Sequence, residues 1–92
     1  MKIIIISTLT KNLLFRETAD KIFDEIIEKS SDNLVCIDFK NTESITRSFA
    51  HQYMIRKNHS KKQIKEINIP TNILKMFEIF NNLKKNTIEM KY

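Results

Sequence analysis

Leu34-Val35-Cys36-Ile37-Asp38-Phe39 is the stretch whose reading decides the fold. It follows the turn cluster Ser31-Asp32-Asn33, and five of its six side chains are apolar, which fits a short buried strand at the centre of a sheet. Upstream, residues 2–7 contain Ile3-Ile4-Ile5-Ile6, a β-branched run with no polar alternation, expected of a strand covered on both faces. Between these two runs, residues 8–14 read as a loop. From Arg16, the apolar side chains Ala19, Ile22, Phe23, Ile26 and Ile27 recur on one face of a helix that ends near Ser30. Glu17, Asp20, Lys21, Asp24, Glu25 and Glu28 cover its other face, so the helix must lie against something apolar. Strand, helix and strand form a βαβ unit, which predicts a parallel pair joined by a right-handed crossover.

Downstream of the central strand, residues 40–44 form a connection, and Phe49, Ala50, Tyr53, Met54 and Lys57 then follow helical spacing. A second helix is predicted over residues 46–58, with Ser44 or Thr46 placed to accept the first free backbone N–H groups. The polar, basic residues 58–63 read as a loop, and residues 65–69 alternate as a third strand. Pro70-Thr71-Asn72 opens a last helix with the stripe Ile73, Met76, Phe77, Phe80 and Leu83, predicted to end at Lys84-Lys85-Asn86. Residues 87–92 alternate Ile88, Met90 and Tyr92, a pattern that suits a short edge strand. The expectation is one α/β domain over residues 1–92, of order βαβαβα(β), with crossover helices. Its expected core contains Ile4, Ile26, Val35, Ile37, Phe49, Phe77 and Phe80.

Composition narrows the function. Ninety-two residues can bury one modest core, and 41% hydrophobic with 29% charged residues is a globular balance. The chain contains no glycine, which removes phosphate-cradling glycine loops and turns that depend on glycine. The single cysteine, Cys36, excludes an internal disulfide and a cysteine-based zinc site and reads as a small buried hydrophobe. Residues 1–6 are too short an apolar run for a signal peptide or a membrane span, which leads to the expectation of a cytoplasmic protein without membrane contact. Net charge is +5, divided as −2 over residues 1–39 and +7 over residues 40–92. The basic half permits an acidic partner or nucleic acid, although it reads first as a solvated face.

No catalytic constellation stands out. His51 and His59 lack metal-ligand spacing, and no serine or cysteine is spaced to be activated by either. His51 falls on the side of its helix away from Phe49 and Tyr53, where an exposed imidazole is ordinary. Asp38, at the end of the central strand, lies where open α/β sheets gather their sites. Its plainer reading is a carboxylate that closes the following turn.

Ile37-Asp38-Phe39-Lys40-Asn41-Thr42-Glu43-Ser44-Ile45-Thr46-Arg47-Ser48-Phe49-Ala50 resembles a STAS-like family, whose members show a V-x-L-D-F strand, a short connection, and s-F-A entering a helix. Phe15-Arg16-Glu17-Thr18-Ala19 is similar to the family's f-x-R-e-A helix start, and Ile67-Asn68-Ile69 with Ile73 and Met76 to its final stretch. The resemblance spans residues 12–80. It implies the STAS fold of anti-sigma factor antagonists, which dock partner proteins. In those proteins the loop after the central strand carries D-S/T-S-G, phosphorylated by an ATPase of the histidine-kinase type. Here Thr46-Arg47-Ser48-Phe49 occupies that place, with Arg47 at the acceptor position, and His51-Gln52 replaces a common acidic pair.

The expected function is therefore non-catalytic: a regulatory protein-protein interaction module without a cofactor. It is expected to bind its partner, a histidine-kinase-like ATPase being the candidate the resemblance implies, through Asp38, Glu43, Thr46, Arg47 and Ser48. Ser48 and Thr46 are the candidate phospho-acceptors, and as unmodified hydroxyls they suit helix capping. Two alternatives stand beside this. One is a basic nucleic-acid-associated protein using Arg47, Arg56, Lys57, Lys61, Lys62 and Lys65; the other is a small subunit of a bacterial or viral defence or counter-defence complex. Self-association is compatible with each.

Overall fold

The computed structural model describes the backbone of residues 1–89 and the side chains of residues 1–80. Its frame is a parallel three-stranded sheet of order β1-β3-β5, in which β1 is Lys2–Ile5, β3 is Leu34–Asp38 and β5 is Gln63–Ile67. The stretch 34–39 thus supplies the central strand, as its apolar run predicts. A second, minimal parallel pair joins β2 (Asn12–Leu13) to β4 (Ser44–Ile45). Helix α1 (Arg16–Lys21) runs into a wider-wound segment, Ile22–Ile27, with long-range turns such as Glu28 N–H to the Phe23 carbonyl at 2.8 Å. The wider winding delivers Ile22, Phe23 and Ile27 together to the core. Helices α2 (Arg47–His59) and α3 (Thr71–Glu89) complete the α/β domain.

Register sorts the sheet's side chains. Ile4 pairs with Ile37, and Lys2 with Val35; Ile4, Val35 and Ile37 are buried in one cluster with Ala19, Phe23, Ile27, Phe49 and Tyr53 from the helices. At the centre, Tyr53 stacks on Phe77 at 5.1 Å between ring centroids and meets Phe23 and Phe39 edge-on, geometries that favour aromatic pairs. Ile26 and Phe80, expected in the core, pack against it while only partly buried. The opposite row differs from expectation. Ile3 is 55% exposed and Leu34 37%, so β1, as an edge strand, is not covered on both faces. Cys36 is buried on that row, between Ile3 and Lys65 in register.

Three boundaries move. The third strand occupies residues 63–67 because β3 pairs with it from Leu34↔Gln63 to Asp38↔Ile67, so Gln63, which reads as loop, and Ile64 belong to the ladder, and residues 68–69 do not. Helix α3 continues through the basic run at 84–86 to Glu89, so 87–89 are helical; the remainder of the anticipated edge strand, residues 90–92, lies outside the described residues. The loops 8–14 and 40–44 meet through β2 and β4. Without glycine, the left-handed positions that end β3 and β5 fall to Asn41 (φ 64°) and Asn68 (φ 54°), the residue type that best tolerates them after glycine.

Candidate functional site

The β3–α2 connection lies beyond the carboxyl end of the central strand, where an open parallel sheet leaves a crevice. Its backbone is pinned at both ends. Glu43 N–H donates to the Lys11 carbonyl (2.7 Å) and Thr46 N–H to the Leu13 carbonyl (2.9 Å), while Ser44 Oγ donates to Asn12 Oδ1 (2.6 Å). Thr42, buried, donates its hydroxyl to the Phe39 carbonyl (2.6 Å), and Asn72 Nδ2 from α3 donates to the Glu43 carbonyl (2.9 Å). The connection is thus a fixed platform.

The five expected partner-binding residues fall into two groups. Asp38 is buried, and its Oδ1 accepts from Lys40 N–H (2.9 Å) and Asn68 Nδ2 (3.2 Å), so it ties two turns together and faces no solvent. Thr46 is the N-cap of α2: its hydroxyl accepts from Phe49 N–H (3.2 Å) and donates to the Leu14 carbonyl (2.7 Å). Ser48, also expected as a cap, is the second residue of the helix and makes no side-chain hydrogen bond among the described residues, because the cap position is already filled by Thr46. Glu43, Arg47 and Ser48 are exposed.

Arg47 and Ser48 do not stand alone. With Arg16 at the start of α1, His51 one turn along α2, and Phe80 of α3, they line a cleft of about 250 Å³. The His51 imidazole stacks on the Phe80 ring, 5.4 Å between centroids and 22° between planes. Among the described residues, no carboxylate lines this cleft and neither Arg16 nor Arg47 makes an ion pair. Asp20, on the same helix as Arg16, is engaged elsewhere. Its carboxyl is held below the ordinary range first by a hydrogen bond from Gln52 and next by Arg56, with Arg16 a weaker contributor and partial burial opposing. A larger cleft of about 470 Å³ at the other end of the sheet carries Lys2 and Lys29 against Glu25 and Asp32, so its charges balance.

The basic residues considered for nucleic acid are mostly in use within the fold. Arg56 donates to Asp20 (2.9 Å) and Asp24 and sits 5.5 Å over the Phe23 ring. Lys57 bridges to Glu66 (2.8 Å), whose other oxygen accepts from the Tyr53 hydroxyl (2.5 Å). Lys62 donates to the Ser30 and Asp32 carbonyls (2.6 and 3.0 Å). Lys61 and Lys65 are exposed, Lys65 on the open face of the sheet. Arg16, His51 and Phe80 were the members of the cleft not expected as site residues. The available signal was Arg47 and His51 at i and i+4, two basic side chains on one helix face with no acid between them.

Compared with protein-family models, curated proteins and solved structures, the chain gives no match. Among the described residues, no helix is long and apolar enough to cross a membrane.

Proposed function

We propose that this chain is a non-catalytic, STAS-like regulatory module that acts in the cytoplasm and docks a partner protein at the β3–α2 connection. The observation that carries this reading is the division of labour along residues 38–48. Asp38, Thr42, Ser44 and Thr46 are bonded into the platform, while Glu43, Arg47 and Ser48 point out from it. A rigid backbone that presents a few unsatisfied polar groups loses little entropy on binding and discriminates partners by charge. The resemblance of this segment to STAS-like proteins supports the same surface and suggests an ATPase of the histidine-kinase type as partner.

Docking on this reading is constitutive with respect to phosphorylation of this chain itself, since Arg47 stands where the resembled proteins carry their phosphorylated hydroxyl. Of the two candidate acceptors, Thr46 has both its donor and an acceptor site in use, which leaves Ser48 as the accessible hydroxyl. The test is Arg47→Glu in the native host. The variant keeps the circular dichroism of the folded chain and loses co-purification of the partner. Normal capture by the folded variant refutes the surface, and a phosphate on Ser48 in the intact mass of the native protein overturns constitutive docking.

A further inference from the structure

We propose that the cleft between Arg16, Arg47, Ser48, His51 and Phe80 receives a phosphate monoester carried on a serine or threonine of the docked partner, so that the module reads a phosphate instead of bearing one. This rests on the docking reading above and names what the docked surface recognises.

Four observations converge. First, two arginines line the cleft from different helices and make no ion pair with a carboxylate among the described residues. The planar fork of arginine matches the oxygens of a phosphate, and two such forks on one spot favour a dianion over the single charge of a diester. Second, the Ser48 hydroxyl has no hydrogen-bond partner among the described residues, and His51 adds a ring nitrogen at the same wall. Third, the cleft opens at the first turn of the 13-residue helix α2, the end whose dipole favours negative charge. Fourth, its volume of about 250 Å³ holds one small group and falls under the roughly 300–1,000 Å³ of sites that enclose whole small molecules.

The same observations argue against nucleic acid as the source of the phosphate. A nucleic-acid surface needs a track of cations that follows a backbone. Arg56, Lys57 and Lys62 cannot continue such a track from the cleft, since each is held by acids or carbonyls of its own fold. What remains at the start of α2 is a point site. The Phe80 ring, stacked flat under His51, gives the cleft an apolar wall suited to the methylene or methyl group next to a phosphorylated oxygen.

The test is a titration of the full chain, followed by amide and side-chain NMR shifts at low salt, with three probes. These are a short peptide containing phosphoserine, the same peptide unphosphorylated, and inorganic phosphate; a single-stranded oligothymidylate serves as the fourth arm. The phosphopeptide is expected to shift Arg16, Arg47, Ser48 and His51 saturably, and the unphosphorylated peptide is not. Inorganic phosphate should compete at the same residues, more weakly. Arg47→Gln and Arg16→Gln should each weaken the phosphopeptide roughly tenfold or more, as loss of a charge-assisted hydrogen bond requires. Absence of a saturable phosphopeptide shift overturns the proposal, and so does an oligothymidylate that binds more tightly through Lys61 and Lys65. A preference for inorganic phosphate over the phosphopeptide also overturns it, because the source would then be free anion. The two readings fail separately. If the partner still binds through Arg47 after phosphatase treatment, docking stands and the phosphate falls; if Arg47→Glu leaves capture intact, docking itself falls.

Discussion

The two ends of helix α2 carry similar side chains and use them differently. Toward its end, Tyr53, Arg56 and Lys57 face acids on other elements: Arg56 meets Asp20 and Asp24 on the first helical segment, and Lys57 and Tyr53 share Glu66 on β5. At its start, Arg47, Ser48 and His51 face a cleft that no carboxylate lines among the described residues. A basic side chain that meets an acid of its own fold contributes to stability, whereas one left without such a partner is available to a ligand. Stability and recognition should therefore separate along one helix, and each substitution below tests where the boundary lies.

The largest effect should come from Tyr53. It is fully buried among four aromatic rings, and Tyr53→Ala should cost about 3–5 kcal/mol, as aromatic truncations in cores do. At about 0.05–0.15 kcal/mol per residue the whole domain has on the order of 5–14 kcal/mol, so urea denaturation should show a large part of it gone. Its hydroxyl gives a second reading. Burial, and then the adjacent Glu66 carboxylate, push the phenol well above its ordinary value of 10.0. A raised folded value means that its contribution is present in full below the unfolded value and is lost as pH rises through the folded one. Stability should fall in alkali above about pH 10, the ordinary range for tyrosine, and Tyr53→Phe should flatten that limb.

The next effect tests the far end of the helix against the near one. Removing Arg56 alone would release Asp20 toward Arg16, so the informative variant is the double Asp20→Asn, Arg56→Met. It should lose about 1–2 kcal/mol, from half-exposed ion pairs and the contact over Phe23. Its phosphopeptide affinity should not change. Arg47→Gln should do the reverse, with stability held within about 0.5 kcal/mol, as for exposed positions, and affinity lost. A double variant that loses affinity in step with stability would erase the distinction between the two ends.

How much of this was legible before the structure depended on scale. The 34–39 run and the helix spacing of Ile22, Phe23, Ile26 and Ile27 located the central strand and its neighbours, because long apolar patterns report burial directly. The run Ile3-Ile4-Ile5-Ile6 misled, since hydropathy cannot tell an edge strand with one open face from a covered one. The β2–β4 pair was invisible because two residues on each side carry no period. Asp38 and Arg47 were singled out together from one segment, and the fold separates them: turn hydrogen bonds bury the first, and helix entry exposes the second. The cleft needed Arg16 and Phe80 from distant parts of the chain, and only the packing of α1, α2 and α3 brings them to Arg47.

The smallest and sharpest test lies between two neighbouring hydroxyls, Thr46 and Ser48. From sequence both suit capping, but a helix has one N-cap position, and Thr46 fills it with extended backbone (φ −99°, ψ 163°) and a bond from Phe49 N–H. Its hydroxyl also closes the seam to Leu14, so Thr46→Ala should cost about 1 kcal/mol, in the range for lost caps, or somewhat more. Ser48 has no such bond among the described residues, so Ser48→Ala should leave urea stability within about 0.5 kcal/mol. Its effect should appear in binding instead, where one hydrogen bond of about 1.5 kcal/mol or more to a charged phosphate oxygen corresponds to roughly a tenfold loss in phosphopeptide affinity. Thr46→Ser should restore the cap and most of the stability without touching affinity. If Ser48→Ala destabilised the fold as much as Thr46→Ala did, Ser48 would belong to the scaffold, and the cleft would offer a phosphate only Arg16, Arg47 and His51.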